Sequence, residues 1–263
     1  MTVLKQIWNF RFFIFSSIKN ELSNRLSRSK LGLLWLGIAP MLQVAIFAFI
    51  LSSIMSAKLP GINNTHAYAL YLVTGITAWS LFSDILMRML TLYGDNAHLI
   101  KKMSIPLAAF PLIAIGSAWL NHLFLLVSVM IVFFFLDHHL GWMILWVPFL
   151  MVMTTLSALG SGLLLGVLNI FIRDVGQMMP ILLQFAYWFT PIVYTIAIIP
   201  ESYHRYFLLN PLYHLMSLYH NVFLYHIPPS LTSVLIVFAV ASVLLITAFV
   251  LLSKAKNDMM EVL

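Results

Sequence analysis

Charge is rationed along this chain in a way that leaves few folds open. Fourteen Lys or Arg and eight Asp or Glu are spread over 263 residues, mostly in short clusters between long uncharged runs. Leu31 to Met55 carries no charge, and about 26 uncharged residues follow the pair Arg173-Asp174. A helix needs roughly 20 apolar residues to cross a hydrocarbon core of ~30 Å. With 62% hydrophobic and 8% charged residues, a soluble domain is excluded. The expectation is an all-α membrane protein with six transmembrane helices, an N-terminal in-plane amphipathic helix and a re-entrant periplasmic helical pair before the last span. It forms one domain over 1–263, with an interface helix at 1–30, spans one to five at 31–199, a re-entrant segment at 200–229, and span six with a tail at 230–263. No soluble catalytic domain fits within that length.

The N-terminus is interrupted by Lys5, Arg11 and Lys19, which argues against a cleavable signal peptide. Residues 1–30 hold six basic side chains against one acid, Glu21. Ile14, Phe15, Ile18, Leu22 and Leu26 fall on one helical face, with Ser16, Ser17, Asn20, Ser23, Asn24 and Ser27 on the other. That pattern predicts a helix lying in the interface plane. The first span, Leu31 to Met55, contains Gly37 and Pro40 and leads into a loop with Lys58, Pro60, Gly61 and His66.

The second span runs from about Tyr68 to Leu86, where Asp84 and Arg88 stand at i, i+4 as a self-neutralising interfacial pair. A polar connection over 93–105 carries Lys101 and Lys102. The third span, Ile105 to Leu136, has one ionisable residue, His122, read as a satisfied packing histidine. A tight, exposed turn at Asp137-His138-His139 precedes the fourth span, Trp142 to Ile172. Ala158, Gly162 and Gly166 repeat there every four residues, which lets two helices approach closely.

The fifth span holds Phe185, Tyr187, Trp188 and Phe189, 10 to 14 residues beyond Val175. At about 1.5 Å per residue they sit roughly 15–21 Å deep, whereas aromatics usually collect at the interfaces. Two readings remain open: helix packing, or a wall along which sugar-like faces slide. Residues 200–229 are apolar but broken by Asn210-Pro211 and closed by Pro228-Pro229. Non-helical backbone at membrane depth needs cover from protein or water, hence a re-entrant pair. The last span, Leu231 to Leu252, ends in a tail with Lys254 and Lys256. Six spans with both termini cytoplasmic place twelve of the fourteen basic residues inside, leaving only Lys58 and Arg205 outside, as the positive-inside rule requires.

The chain has no Cys, no G-x-x-x-x-G-K-[ST] phosphate loop, no H-E-x-x-H and no G-x-S-x-G. The nine His show no convincing ligand spacing, so no metal is expected. Proton-coupled transport usually needs a buried ionisable residue, and only His122 qualifies. An energy source within the chain is lacking, which points to half of a machine driven from outside.

Several segments resemble the membrane subunit of polysaccharide ABC exporters of the ABC-2 type, especially the O-antigen type. They are Glu21-Leu22, Arg25, Leu31-Gly32-x-Leu34-Trp35 and Pro40; then Asn96-Ala97, Leu99-Ile100-Lys101-Lys102 and Pro106. The most characteristic block is Asn169, Arg173-Asp174, Thr190-Pro191-Ile192, Tyr194, Pro200-Glu201 and Asn210-Pro211-Leu212, and the tail Glu261-Val262-Leu263 is similar too. The chain departs from the family at Leu26-Ser27, where Tyr-Lys is common, at Leu107, where a basic residue is frequent, and at Tyr219-His220, where an Arg is expected.

The resemblance implies a homodimer in the bacterial inner membrane, paired with two copies of a separate ATPase that holds ATP and Mg, with no cofactor in this chain. Its cargo would be undecaprenyl-pyrophosphate-linked O-antigen polysaccharide, and the chain itself would not be an enzyme. Phe185, Tyr187, Trp188, Phe189 and Tyr194 would form the aromatic channel wall. Arg25, Arg28 and Lys30 would receive the lipid pyrophosphate by charge-assisted hydrogen bonds; anchoring to anionic lipid or contact with the ATPase are the alternatives. Asp95, Asn96, Lys101 and Lys102 would couple to the ATPase, and Asn210, Pro211, Tyr219 and His220 would form the periplasmic gate. Competing readings are an ABC-2 exporter of capsular polysaccharide, teichoic acid or another lipid-linked cargo, a proton-coupled flippase, and, from another class, a membrane acyl- or glycosyltransferase.

Overall fold

The computed structural model describes residues 3–27, 38, 42, 67–102 and 105–262. Among them the backbone is helical with no strand. The helices are α1 (Val3–Asn9), α2 (Arg11–Ser27), α3 (Ala67–Asp95), α4 (Ala97–Lys102), α5 (Ala109–Phe135), α6 (Val147–Phe171), α7 (Asp174–Phe189), α8 (Glu201–Leu208), α9 (Pro211–Phe223) and α10 (Leu231–Val262). The first predicted span and its following loop, with Gly37, Pro40, Lys58, Pro60, Gly61 and His66, lie outside the described residues, Ile38 and Leu42 aside.

Among the described residues, four helical segments are long and apolar enough to cross a membrane: Ala67–Asp95, Ala109–Phe135, Gly141–Phe171 and Leu231–Lys256. They match the predicted second, third, fourth and last spans. The fourth opens with a 3-10 turn over Gly141–Trp146 before α6, where Pro148 sits in the first turn, a place its missing N–H is harmless. The last helix continues past Leu252 through Lys254 and Lys256 to Val262, so the predicted tail is helical as well.

α3 is the centre of the bundle. Its 29 residues contain no proline, and Leu70, Ala78, Leu81, Ile85, Met89 and Leu90 are fully enclosed. It packs against α5, α6 and α9. The small-residue repeat explains the closest of these contacts. A Cβ on Gly162 would stand 2.6 Å from Met89 Cβ and 3.1 Å from the Leu86 carbonyl, and one on Gly166 would run into the Met89 carbonyl. On the opposite side of α6, a Cβ on Gly160 would lie 3.0 Å from the Leu245 nitrogen of α10. Small residues thus let α6 lie between α3 and α10 at near-backbone separation, which favours dispersion contacts where no hydrophobic effect acts.

The fifth span differs from its prediction. The uncharged run does not form one helix: α7 ends at Phe189 after 16 residues, about 24 Å at ~1.5 Å per residue. Pro191 is the cause. Its ring disfavours helical conformation in the residue before it, and Thr190 is extended at φ −110°, ψ 135°. A compact turn and a short 3-10 segment, Ile196–Ile198, then lead to α8. The helical pair expected over 200–229 is present as α8 and α9, hinged at Leu209-Asn210.

α2 rests on α5. Ile14 is buried, Ser17, Ile18 and Glu21 are half-buried, and Phe12 and Phe15 are exposed. Gly116 of α5 supplies the seat, since a Cβ there would meet the Ile18 side chain. In the turn after α5, Asp137 and His139 are exposed as expected, and His138 is the exception. His138 is half-buried and donates from Nε2 to the Phe223 carbonyl at 2.6 Å, its ring 4.9 Å from that of His226. Burial pushes the His138 pKa down, the bond to Phe223 opposes this, and His226 and His139 add to the depression.

Candidate functional site

The two proline motifs that stand out in the sequence meet at one end of α3. Asn210 caps α9, its side chain accepting from the Leu212 N–H at 3.0 Å, and its Nδ2 donates to Thr190 Oγ1 at 3.2 Å. An asparagine at this position satisfies one of the open N–H groups of the helix start, and Pro211 occupies the first helical position, where it costs nothing. Thr190-Pro191 and Asn210-Pro211, 20 residues apart in sequence, are thereby tied together.

The first turns of α3 hold this assembly. Tyr68 donates its hydroxyl to the Val193 carbonyl. The Tyr71 hydroxyl lies 3.0 Å from both the Pro191 and the Tyr194 carbonyls. The Tyr71 ring stacks on His220 at 3.9 Å between centroids and 10° between planes, and His220 Nε2 donates to the Tyr71 carbonyl at 3.2 Å. One turn on, Gly75 leaves room for the chain: a Cβ there would sit 2.9 Å from the Ile192 carbonyl and 3.4 Å from His220 Nε2. Tyr68, Tyr71 and Gly75 fall at i, i+3 and i+7, one face of a helix. The same spacing is present in the sequence, but a tyrosine at the start of a span is equally at home at the membrane interface.

Of the predicted gate residues, Asn210 and Pro211 form the joint between α8 and α9, whereas Tyr219 and His220 face inward. Tyr219 is fully enclosed, its hydroxyl 3.0 Å from Thr154 Oγ1 of α6 and its ring stacked on Phe223. The predicted aromatic wall divides in two. Phe185, Trp188 and Phe189 are exposed, and with Met178, Ile181 and Leu182 they form an uncovered stripe along α7. Tyr187 is half-buried, edge-on to Trp79 at 5.5 Å, and Tyr194 donates to the Trp188 carbonyl at 2.7 Å. Beside the end of α7, Phe189, Tyr194, Tyr203, Tyr206, Phe207 and Asn210 line an apolar recess of about 620 Å³.

At the opposite end of α3, Asn96 Nδ2 donates to the Leu92 carbonyl at 2.7 Å and closes the helix, and α4 follows with Lys101 and Lys102 exposed in its last turn. Cations are favoured there by the helix dipole. Asp95 and Asn96 border a crevice of about 280 Å³ whose other wall is Ser17 and Glu21 of α2. The predicted Asp84–Arg88 pair forms at 2.8 Å, and it is joined by a second acid: Arg88 Nη1 donates to Glu21 Oε1 at 2.8 Å. Asn121 Nδ2 lies 3.4 Å from Asp84 Oδ2, so the cluster links α2, α3 and α5. Arg25 lies in the last turn of α2, its side chain outside the described residues, as are Arg28 and Lys30 entirely. Asn169 ties α6 to its neighbours, donating to the Leu90 carbonyl at 3.2 Å and accepting from Gly176 N–H at 2.7 Å. His122 is buried as expected, but among the described residues neither ring nitrogen has a partner. No cluster of three or more His, Cys, Asp or Glu occurs among the described residues.

Comparison with known proteins places this arrangement. The O-antigen export system permease protein RfbA of Klebsiella pneumoniae is 27% identical over 208 residues, covering 78% of this chain and 77% of the relative. RfbA of Myxococcus xanthus is 21% identical over 261 residues, 98% of each. The polysialic acid transport protein KpsM of Escherichia coli is 26% identical over 203 residues, 75% of this chain and 76% of the relative. Residues 13–224, from α2 to the end of α9, match the ABC-2 type transporter family, and on that match this chain belongs to it.

Proposed function

We propose that this chain is the channel-forming subunit of an ATP-driven exporter that moves undecaprenyl-pyrophosphate-linked O-antigen polysaccharide from cytoplasm to periplasm. The observation that carries this reading is the full-length similarity to an O-antigen export permease, 98% of each chain. Glycans are too polar to enter lipid, so they need a protein-lined path across it. The sequence contains no phosphate loop, so ATP and Mg reside on a separate ATPase, two copies of which serve a homodimer of this chain. The chain is a transporter subunit and not an enzyme.

Within the proposal the six spans are the four described ones, residues 31–55 and the shorter α7, and both termini are cytoplasmic. The uncovered stripe of α7, in which only Met179 is buried, leaves Phe185, Trp188 and Phe189 free to line the path. Aromatic rings meet sugar C–H faces without fixing a sequence, which suits a sliding polymer. Exposed Phe12 and Phe15 on α2 favour its lying at the lipid interface, with Arg25, Arg28 and Lys30 receiving the pyrophosphate. Asp95, Asn96, Lys101 and Lys102 form the ATPase contact, and α8 with α9 closes the periplasmic mouth as a re-entrant pair. The similarity to KpsM makes capsular polysaccharide the second reading of the cargo.

Deletion of the gene followed by lipopolysaccharide analysis tests the proposal. The expected result is loss of surface glycan with lipid-linked polymer held inside the cell. Normal display in a strain without a second exporter overturns it, and loss of capsule with intact O-antigen favours the second reading.

A further inference from the structure

α3 reaches both candidate regions. It is 29 residues long, about 43 Å at ~1.5 Å per residue, which exceeds a ~30 Å hydrocarbon core. It lacks proline, is enclosed by α5, α6 and α9, and runs as one unbroken helix. Its Asp95 end passes through Asn96 directly into α4, where the exposed lysines stand. Its Ala67 end carries Tyr68, Tyr71 and Gly75.

Two separate pieces of chain rest on that end. The turn after α7 is held through backbone carbonyls at Pro191, Val193 and Tyr194, and α9 is held through His220. Tyr71 touches both, with its hydroxyl on the turn and its ring and carbonyl on His220. A phenol carries a single proton, so the Pro191 and Tyr194 carbonyls, each 3.0 Å away, compete for it. A small shift of the turn decides which carbonyl keeps the bond. Gly75 lets His220 and Ile192 approach the α3 backbone closely enough for these contacts to form together.

We propose that Tyr71, seated beside Gly75, is the positioning residue through which α3 sets the turn 190–194 and α9, so that displacement of α3 at its α4 end releases both at the other. This rests on the exporter reading above, in which α4 receives the ATPase stroke and α9 closes the mouth. Tyr71 touches both elements, with Tyr68 a second hold on the turn, so the end of α3 carries them together. A packed contact of this kind has discrete arrangements, not a continuum.

The absence of cysteine from the chain makes a direct test possible. Val193 is buried in the turn, and Val193→Cys reports its exposure to a membrane-impermeant maleimide in membranes that contain the complex with its ATPase. Labelling is expected to be slow at rest and to rise about tenfold with ATP and vanadate, the size of an ordinary coupling between sites. Adding Tyr71→Phe, which keeps the stacking ring and removes the hydroxyl, is expected to raise resting labelling toward the nucleotide-bound rate and to abolish the response. Gly75→Ala is expected to do the same by wedging Ile192 away.

Each variant is compared at equal membrane level and equal ATPase copurification, which a merely structural defect would lower. An unchanged nucleotide response in Tyr71→Phe overturns the proposal, as does a Val193→Cys signal indifferent to nucleotide in the parent. Surface glycan plays no part in this readout, so a wrong cargo assignment leaves the result interpretable.

Discussion

Gly166 and Gly94 are both glycines near α3, yet one is constrained by packing and the other is not. A Cβ at Gly166 would strike the Met89 carbonyl, a backbone atom that cannot rotate away, whereas one at Gly94 meets nothing within 4 Å. Gly166→Ala therefore forces α6 from α3 and is expected to destabilise by about 1–3 kcal/mol, the usual range for overpacking. Gly94→Ala is expected to match the parent or exceed it by up to ~1 kcal/mol, through helix propensity alone. Thermal unfolding of the purified protein in detergent separates the two; equal behaviour would contradict the close approach. The repeat at 158, 162 and 166 is legible in the sequence because small residues every four positions have one main physical use in an apolar helix. Tyr68 and Tyr71 are not legible in the same way. A tyrosine at the start of a span serves the interface equally well, and nothing local reveals that its hydroxyl reaches a carbonyl more than a hundred residues away.

At the scale of elements, one cation ties α2 to α3. Arg88 is 15% exposed and serves Glu21 of α2 and Asp84 of its own helix, each about one-third exposed. Arg88→Met removes the bridging charge, at a cost of about 1–3 kcal/mol, the range for hydrogen bonds to charged groups in partly solvated sites. The expected consequence is loosening of α2 before the rest unfolds, read as faster hydrogen exchange over residues 11–24 with α6 and α10 unchanged. Uniform exchange across the chain would show that the cluster does not act locally. Half of this cluster is visible in the sequence, since Asp84 and Arg88 are four residues apart. Glu21 is 67 positions from Arg88 and reads as the lone acid in a basic segment, so its part in the cluster is not visible there. The end of α7 illustrates the opposite failure. The uncharged run satisfies the length criterion for a span, but Thr190-Pro191 stops the helix by local sterics that hydropathy does not register.

At the scale of the whole molecule, polar and charged features concentrate at the two ends of a long apolar bundle. The end with α8 and α9 is held by tyrosine hydroxyls and an asparagine cap, while the other end presents Lys101 and Lys102 on a short helix next to the α2 crevice. In the exporter proposed above, force would have to arrive where a rigid element surfaces, and α4 offers such a place because it continues from α3 across a single residue, Asn96. Lys101→Glu with Lys102→Glu places two acids at the helix C-terminus, where the dipole disfavours them, and reverses the local field seen by a docking partner. ATPase copurification is expected to fall roughly tenfold or more, with a steep dependence on salt because the charges are exposed. Lys254→Glu with Lys256→Glu makes an equal change in net charge on another exposed helix and is expected to leave copurification within about twofold, since it leaves the field at α4 largely screened and unaltered. Equal loss in both variants would mean that net charge, not the α4 surface, governs assembly. Intact copurification in the first would remove α4 from the contact and, with it, the route by which a stroke reaches α3.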